Sequence, residues 1–239
     1  EGVSSDYSDF IAMRDFIINN DLSNQTLYDQ AASMIDMVSF IDHVVMEVYA
    51  ANDSYERKFW KVRNPENNTF GDGKWRVSVQ DFEASLKDNI NWLENLSDTT
   101  SSPNGAFLGH LLVNDGFRTM FLNRFADVLN TVFTEAHFND VVNKIFNEVA
   151  PYLAEDQNRY PKSDFYEQSE KLDLLDWGTN RRGVQQDQIK VYFSLASVLD
   201  FTLNVSDDNA GYINISTIDI KESTPGVPQN PYPWIGQYF

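Results

Sequence analysis

An α+β fold, mainly helical, is predicted by three observations. Apolar residues recur at steps of three and four from Tyr7 to Ala51 and again from Ala106 to Leu199. A single tract between Lys58 and Gln80 alternates instead and is interrupted by Asn- and Gly-rich turn chemistry. At Asp200 the period changes once more, from helical to alternating.

Taken in order, Phe10, Ile11, Met13, Phe16, Ile17 and Ile18 predict a helix over Tyr7 to Asn20, with Asn-Asn-Asp and Ser-Asn as stop and restart signals for a short helix through Leu27 and Tyr28. Val38, Ile41, Val45 and Val48 predict a helix from Asp36 to Ala51 with one buried stripe, beside which Asp42 and His43 read as a surface pair. Phe59 to Arg63 and Lys74 to Gln80 are expected to pair as an antiparallel hairpin across Asn64-Pro65-Glu66-Asn67-Asn68 and Gly71-Asp72-Gly73. The polar stretch from Leu96 to Gly105 reads as a loop.

Helical spacing resumes at Ala106, and Phe117, Phe121, Phe125, Val128 and Val132 repeat at about one turn each, as core residues do. Thr134 is a good N-cap for a helix carrying Phe138, Val141, Val142, Ile145, Phe146 and Val149, which Pro151 is expected to end or kink. Ser163 to Trp177 and Val184 to Leu199 read as two further helices separated by Gly178 and Gly183, and Arg181-Arg182 between them as a helix-end salt bridge. Phe201, Leu203 and Val205 then alternate. A hairpin through Ser206 to Gly211 is expected to return them along Ile213, Ile215, Ile218 and Ile220, and the tail from Pro231 to Phe239 to expose its aromatics.

Composition bounds the function. The 239 residues suffice for a full core, and 42% hydrophobic content is globular. The net charge of −18 argues against nucleic acid or an anionic membrane surface as a partner. Without cysteine there is no disulfide, thiolate nucleophile or Cys-based zinc site. His43, His110 and His137 are widely spaced, no Gly-x-Ser-x-Gly is present, and no apolar run reaches the length that spans a bilayer.

The acids that stand out follow packed elements. Asp53 follows the apolar helix, and Asp81 and Glu83 follow the strand Trp75 to Val79. In extended backbone, side chains at i and i+2 share a face, so Asp81 and Glu83 could converge on a hard cation such as Mg²⁺ or Mn²⁺. On residue types alone the same Asp-x-Glu reads as a solvated turn.

Asp53-Ser54-Tyr55, the segment Trp75 to Val79 and Asp81-Phe82-Glu83 resemble the Asp-Gly-Tyr and Trp-Asp-Tyr-Asp elements of the spore-coat protein H (CotH) family of atypical kinases. Ile35-Asp36, Phe40-Ile41-Asp42 and Asn52-Asp53 resemble the family's preceding helix. Phe117-Arg118, Phe121, Arg124-Phe125, Asp127 to Thr131 and the surroundings of Trp177 and Arg182 resemble its C-terminal helical region. The resemblance implies a kinase-like C-terminal lobe over residues 1–199, with a hairpin region 58–83 and a helical bundle 106–199, followed by a truncated β appendage at 200–239. It implies Asp53 as the catalytic aspartate, Asp81 helped by Glu83 as metal ligands, Mg²⁺ or Mn²⁺ with ATP as cofactors, a protein hydroxyl as acceptor, and a bacterial, secreted or cell-surface setting.

Two departures matter. Lys58 stands where the family has a metal-binding asparagine, and Glu83 is longer than the expected aspartate. No glycine-rich phosphate loop is found, and the family's N-terminal β-rich lobe has no counterpart before Asp53, so the isolated chain is expected to be inactive. The alternatives are a non-catalytic pseudokinase or binding module of a bacterial surface protein, in which the Lys58 ammonium replaces the metal, and a purely structural spacer.

Overall fold

The structure, a computed structural model, describes residues 4–52, 56–64, 66–86, 90–100, 107–161, 167–207 and 210–239. It is α+β and mainly helical, with short antiparallel strand pairs. The chain divides into two compact units, residues 1–124 and 125–239.

The first unit opens with α1 (Ser4–Asn19), α2 (Gln25–Met34) and α3 (Met37–Ala50). Local chemistry sets the starts of the second and third. Asn24 Oδ1 accepts from the N–H groups of Thr26 and Leu27, and Asp36 Oδ1 from those of Val38 and Ser39, each satisfying donors that a helix start leaves open. β1 (Glu56–Trp60) and β2 (Arg76–Gln80) form the expected antiparallel hairpin, but its register runs from Glu56↔Gln80 to Trp60↔Arg76, so the first strand lies nearer the helix than Phe59 to Arg63. Three short segments complete the unit: α4 (Trp92–Ser97), α5 (Phe107–Leu112) and the first turns of α6 (Asp115–Leu129). The expected loop up to Gly105 begins only beyond α4, and its residues 101–105 lie outside the described set.

Aromatic rings form the centre of this unit. Phe10 stacks on Phe59 at 5.0 Å and on Trp75 at 5.6 Å, Phe59 meets Phe107 at 5.7 Å, and Phe40 meets Phe107 and Phe117. Each such pair adds about 0.5–1.5 kcal/mol beyond area burial, so the hairpin is packed onto the helices. Main-chain bonds from Asp36 N to Trp75 O and from Trp75 N to Met34 O, both 2.8 Å, stitch the entry of β2 to the α2–α3 junction. Arg76, 4% exposed, completes the joint by pairing with Asp36 at 3.0 Å and gripping both oxygens of Asp72. The α3 helix is buried on almost every side rather than along one stripe: Phe40, Ile41, Val44, Val45, Val48 and Tyr49 are all buried, while Val38 is exposed. Asp42 is a surface residue held by Arg124 at 2.6 Å, but His43 is buried, a correction that follows from packing around the whole helix.

The second unit holds the end of α6, the long helices α7 (Glu135–Arg159) and α8 (Glu167–Phe193), and strands β3 (Leu199–Leu203), β4 (Ile213–Ile215), β5 (Ile218–Ile220) and β6 (Trp234–Tyr238). Thr134 caps α7 as expected. Pro151 does not end α7; the carbonyl it leaves without a donor belongs to exposed Asn147, where water can replace the lost bond. Nor do Gly178 and Gly183 divide α8. At Gly178 a Cβ would lie 2.2 Å from the Phe138 ring, so this glycine serves close helix packing. Arg181 and Arg182 therefore sit in mid-helix: Arg181 is fully buried over Trp177 and bonded to Gln185, while Arg182 donates to Leu129 O and Asn130 Oδ1 at the end of α6.

The β pairing differs most from expectation. β3 pairs with β6, from Leu199↔Tyr238 to Leu203↔Trp234, while β4 pairs with β5 around Ser216-Thr217. The tail aromatics are not exposed: Trp234 and Tyr238 are buried with Ala126, Ile218, Ile220 and Val227. Burying two large rings outweighs the local turn preference of Ser206 to Gly211, since a buried aromatic side chain contributes about 1.5–3 kcal/mol. Among the described residues no helix is long and apolar enough to cross a membrane.

Candidate functional site

The candidate site lies in the first unit, where the end of α3 meets the end of β2. At Ala51 the chain turns into the left-handed region (φ 50°), closing α3, and its N–H is accepted by Val48 O. Asn52 follows, 1% exposed, with its N–H bonded to Glu47 O at 3.3 Å. Its side-chain Nδ2 donates to Glu47 Oε2 at 2.8 Å and to the Asp81 carbonyl at 3.2 Å. A further bond, from Leu86 N to Ala50 O at 2.8 Å, fastens the turn after β2 to the same helix end. The α3 terminus and the Asp81–Leu86 segment thus form one joint.

Asp53, the sequence-predicted catalytic residue, lies outside the described residues. Asp81 is half-buried and takes a left-handed conformation (φ 60°), and Phe82 to Ser85 close a turn through bonds from Ser85 N and Oγ to Phe82 O. The backbone is not extended there, so strand alternation does not set where the Asp81 and Glu83 carboxylates point. Glu83 is exposed. Lys58 is exposed on β1 opposite Ser78, and Arg57 and Phe59 occupy the other face of the strand.

Sequence reasoning missed the buried polar residues beneath this joint. His43 and Glu47, one helical turn apart, are 2% and 1% exposed, with His43 Nδ1 3.9 Å from Glu47 Oε1. Burial holds the imidazole down to about 4, assisted by the positive charge of Arg57. It pushes the Glu47 carboxyl up to about 7, against the opposing pull of the Asn52 hydrogen bond and of Arg57. With His43 neutral near pH 7, their approach is not an ion pair. The signal was a titratable pair at i and i+4 inside a helix segment, His43 to Val48, that is otherwise apolar.

A cation would find hard oxygen donors here, as Mg²⁺ requires. Among the described residues no group of three or more acidic or histidine side chains is arranged to hold a metal. One or two carboxylates nevertheless suffice for Mg²⁺ that is bound largely through nucleotide phosphates and water, so Asp81 and Glu83 fit that role in kind. The second unit has a groove of about 530 Å³ lined by Thr134, His137, Pro228, Pro233 and Trp234 among others. With His137 as the sole titratable side chain of its lining, it offers no acid–base pair.

A family model described as CotH kinase protein matches residues 1–184. No curated protein and no solved structure matches the chain.

Proposed function

The chain belongs to the CotH kinase protein family, and from that premise we propose that it carries catalytic carboxylates for transfer of the γ-phosphoryl group of ATP to a protein hydroxyl. In this reading Asp53 orients the acceptor hydroxyl and takes its proton as the oxygen attacks the γ-phosphorus. The bond to the β–γ bridging oxygen breaks, and ADP leaves with that oxygen. Asp81, helped by Glu83, would hold Mg²⁺ or Mn²⁺, which would neutralise charge on the phosphates. The observation that carries the reading is the Asn52 amide bond to the Asp81 carbonyl, which sets the chain neighbour of Asp53 against Asp81 although 28 residues separate the two acids in sequence. The domain reading accompanies it: residues 1–199 act as the kinase-like region and 200–239 as an appendage. The setting is a bacterial surface or secreted protein.

Nucleotide binding tests this. Binding of ATP in the presence of Mg²⁺ or Mn²⁺ is expected for the chain, is lost in Asp81→Asn and survives in Asp53→Asn. Metal-independent binding, or none, contradicts it. A second reading, a non-catalytic pseudokinase or binding module in which the Lys58 ammonium replaces the metal, draws on Lys58 at the position of a family metal ligand and on the charge that Arg57 brings to the same joint. Metal-dependent nucleotide binding restored by Lys58→Asn, with none before, would select it.

A further inference from the structure

We propose that Asn52 is a positioning residue that fixes the Asp81 turn against the end of α3. The inference rests on the kinase reading and deepens it, by giving the Asn52 side chain a part in holding the metal-binding segment in place. Asn52 has one side-chain amide with two N–H donors, and the structure gives that amide two acceptors, Glu47 Oε2 and the Asp81 carbonyl. Its own main-chain N–H is spent on Glu47 O, so backbone and side chain are both anchored to α3. At 1% exposure, water does not compete for these bonds.

The geometry also explains two backbone conformations. Ala51 and Asp81 both have positive φ, 50° and 60°, which a non-glycine residue adopts at a cost of about 1–2 kcal/mol. They flank the Asn52 bridge, one as its chain neighbour and one as its acceptor, and such conformations persist where surrounding bonds over-determine them. A carboxamide is well suited to the position. An aspartate there would face the Glu47 carboxylate and the Asp81 carbonyl with no donor, and an alanine would make neither bond.

The test uses Mn²⁺ alone as the probe, with free Mn²⁺ read by electron paramagnetic resonance, and amide hydrogen exchange at Ser85 and Leu86 as a second reading that needs no metal. Asn52→Ala is expected to weaken Mn²⁺ binding by about tenfold or more, as loss of an orienting partner does at metal sites. It is also expected to speed exchange at Leu86 by about tenfold, since that N–H bonds across the same joint. Thr134→Ala, which removes the α7 cap, is the control for a loss of stability alone and leaves both readings unchanged. Glu47→Gln retains an acceptor for the amide and keeps Leu86 protected. If Asn52→Ala does not fold, Asn52→Ser, which keeps one donor, replaces it with the same readings. A folded variant with wild-type Mn²⁺ affinity and wild-type Leu86 exchange overturns the proposal. Absence of Mn²⁺ binding by the unmodified chain overturns the kinase reading instead, and the exchange reading then decides on Asn52 by itself.

Discussion

Glu47 in the first unit and Asp127 in the second are at most 1% exposed, yet their surroundings differ. Asp127 accepts from Thr217 N at 2.9 Å, Thr217 Oγ1 at 2.7 Å and Tyr238 Oη at 2.6 Å, which ties α6 to the β4–β5 turn and to β6. Burial of the phenol, and then its hydrogen bond to the Asp127 carboxylate and that group's charge, push the Tyr238 hydroxyl well above its usual pKa. Glu47 accepts one bond from Asn52 on Oε2, and Oε1 meets no donor among the described residues. A carboxylate supplied with donors on both oxygens acts as a pin. One buried with a single donor is held at an energetic cost, and such groups gather where a protein places chemistry.

The largest effect is expected from removing the pin. Asp127→Ala removes the carboxylate that accepts from the Tyr238 hydroxyl and from Thr217, and should cost about 2–5 kcal/mol in urea unfolding. A loss below about 1 kcal/mol would reduce Asp127 to an ordinary polar contact.

Glu47→Gln sharpens the other side of the comparison through pH. The Glu47 carboxyl rises from 4.5 to about 7 on folding, so its stabilising contribution is present below pH 4.5 and is lost as pH rises to 7. His43 is lowered from 6.5 to about 4, so its contribution is present above pH 6.5 and is lost as pH falls to 4. The two slopes oppose each other between pH 4.5 and 6.5. Glu47→Gln removes one of them, and its stability relative to the unmodified chain should therefore climb by about 3 kcal/mol from pH 4.5 to 7.5. A pH-independent difference between the two urea midpoints contradicts the assignment.

Two glycines of α8 give smaller effects of opposite sign. Gly178→Ala forces a methyl into the Phe138 ring and should destabilise by about 1–3 kcal/mol in spite of better helix propensity. Gly183→Ala meets nothing within 4 Å and should stabilise by about 0.5–1 kcal/mol, which thermal unfolding of the pair would show directly.

Features set by neighbours in the chain were legible in the sequence. Helix periodicity, the Thr134 cap and the hairpin between residues 56 and 80 depend on a few adjacent residues, and all three are present. What failed depended on distant partners. Gly178 reads locally as a breaker, but Phe138 makes it a packing residue. Ser206 to Gly211 reads as a hairpin turn, yet β3 takes β6 as its partner because Trp234 and Tyr238 are buried there. At the site, the strand before Asp81 was legible, whereas the left-handed turn at Asp81 was not. His43 and Glu47 were hidden because the periodicity marks one apolar stripe, whereas α3 is buried on almost every side.

The central claim, that the joint between α3 and β2 carries a cation-binding carboxylate, is tested most directly by titrating Mg²⁺ and Mn²⁺ against thermal unfolding, with and without ATP. The comparison variant is Asp81→Asn, because asparagine tolerates the left-handed backbone at this position and removes only the charge. A rise in the unfolding temperature of the unmodified chain at millimolar metal, larger with ATP and absent in Asp81→Asn, is the predicted result. No rise, or an equal rise in both proteins, would contradict the account.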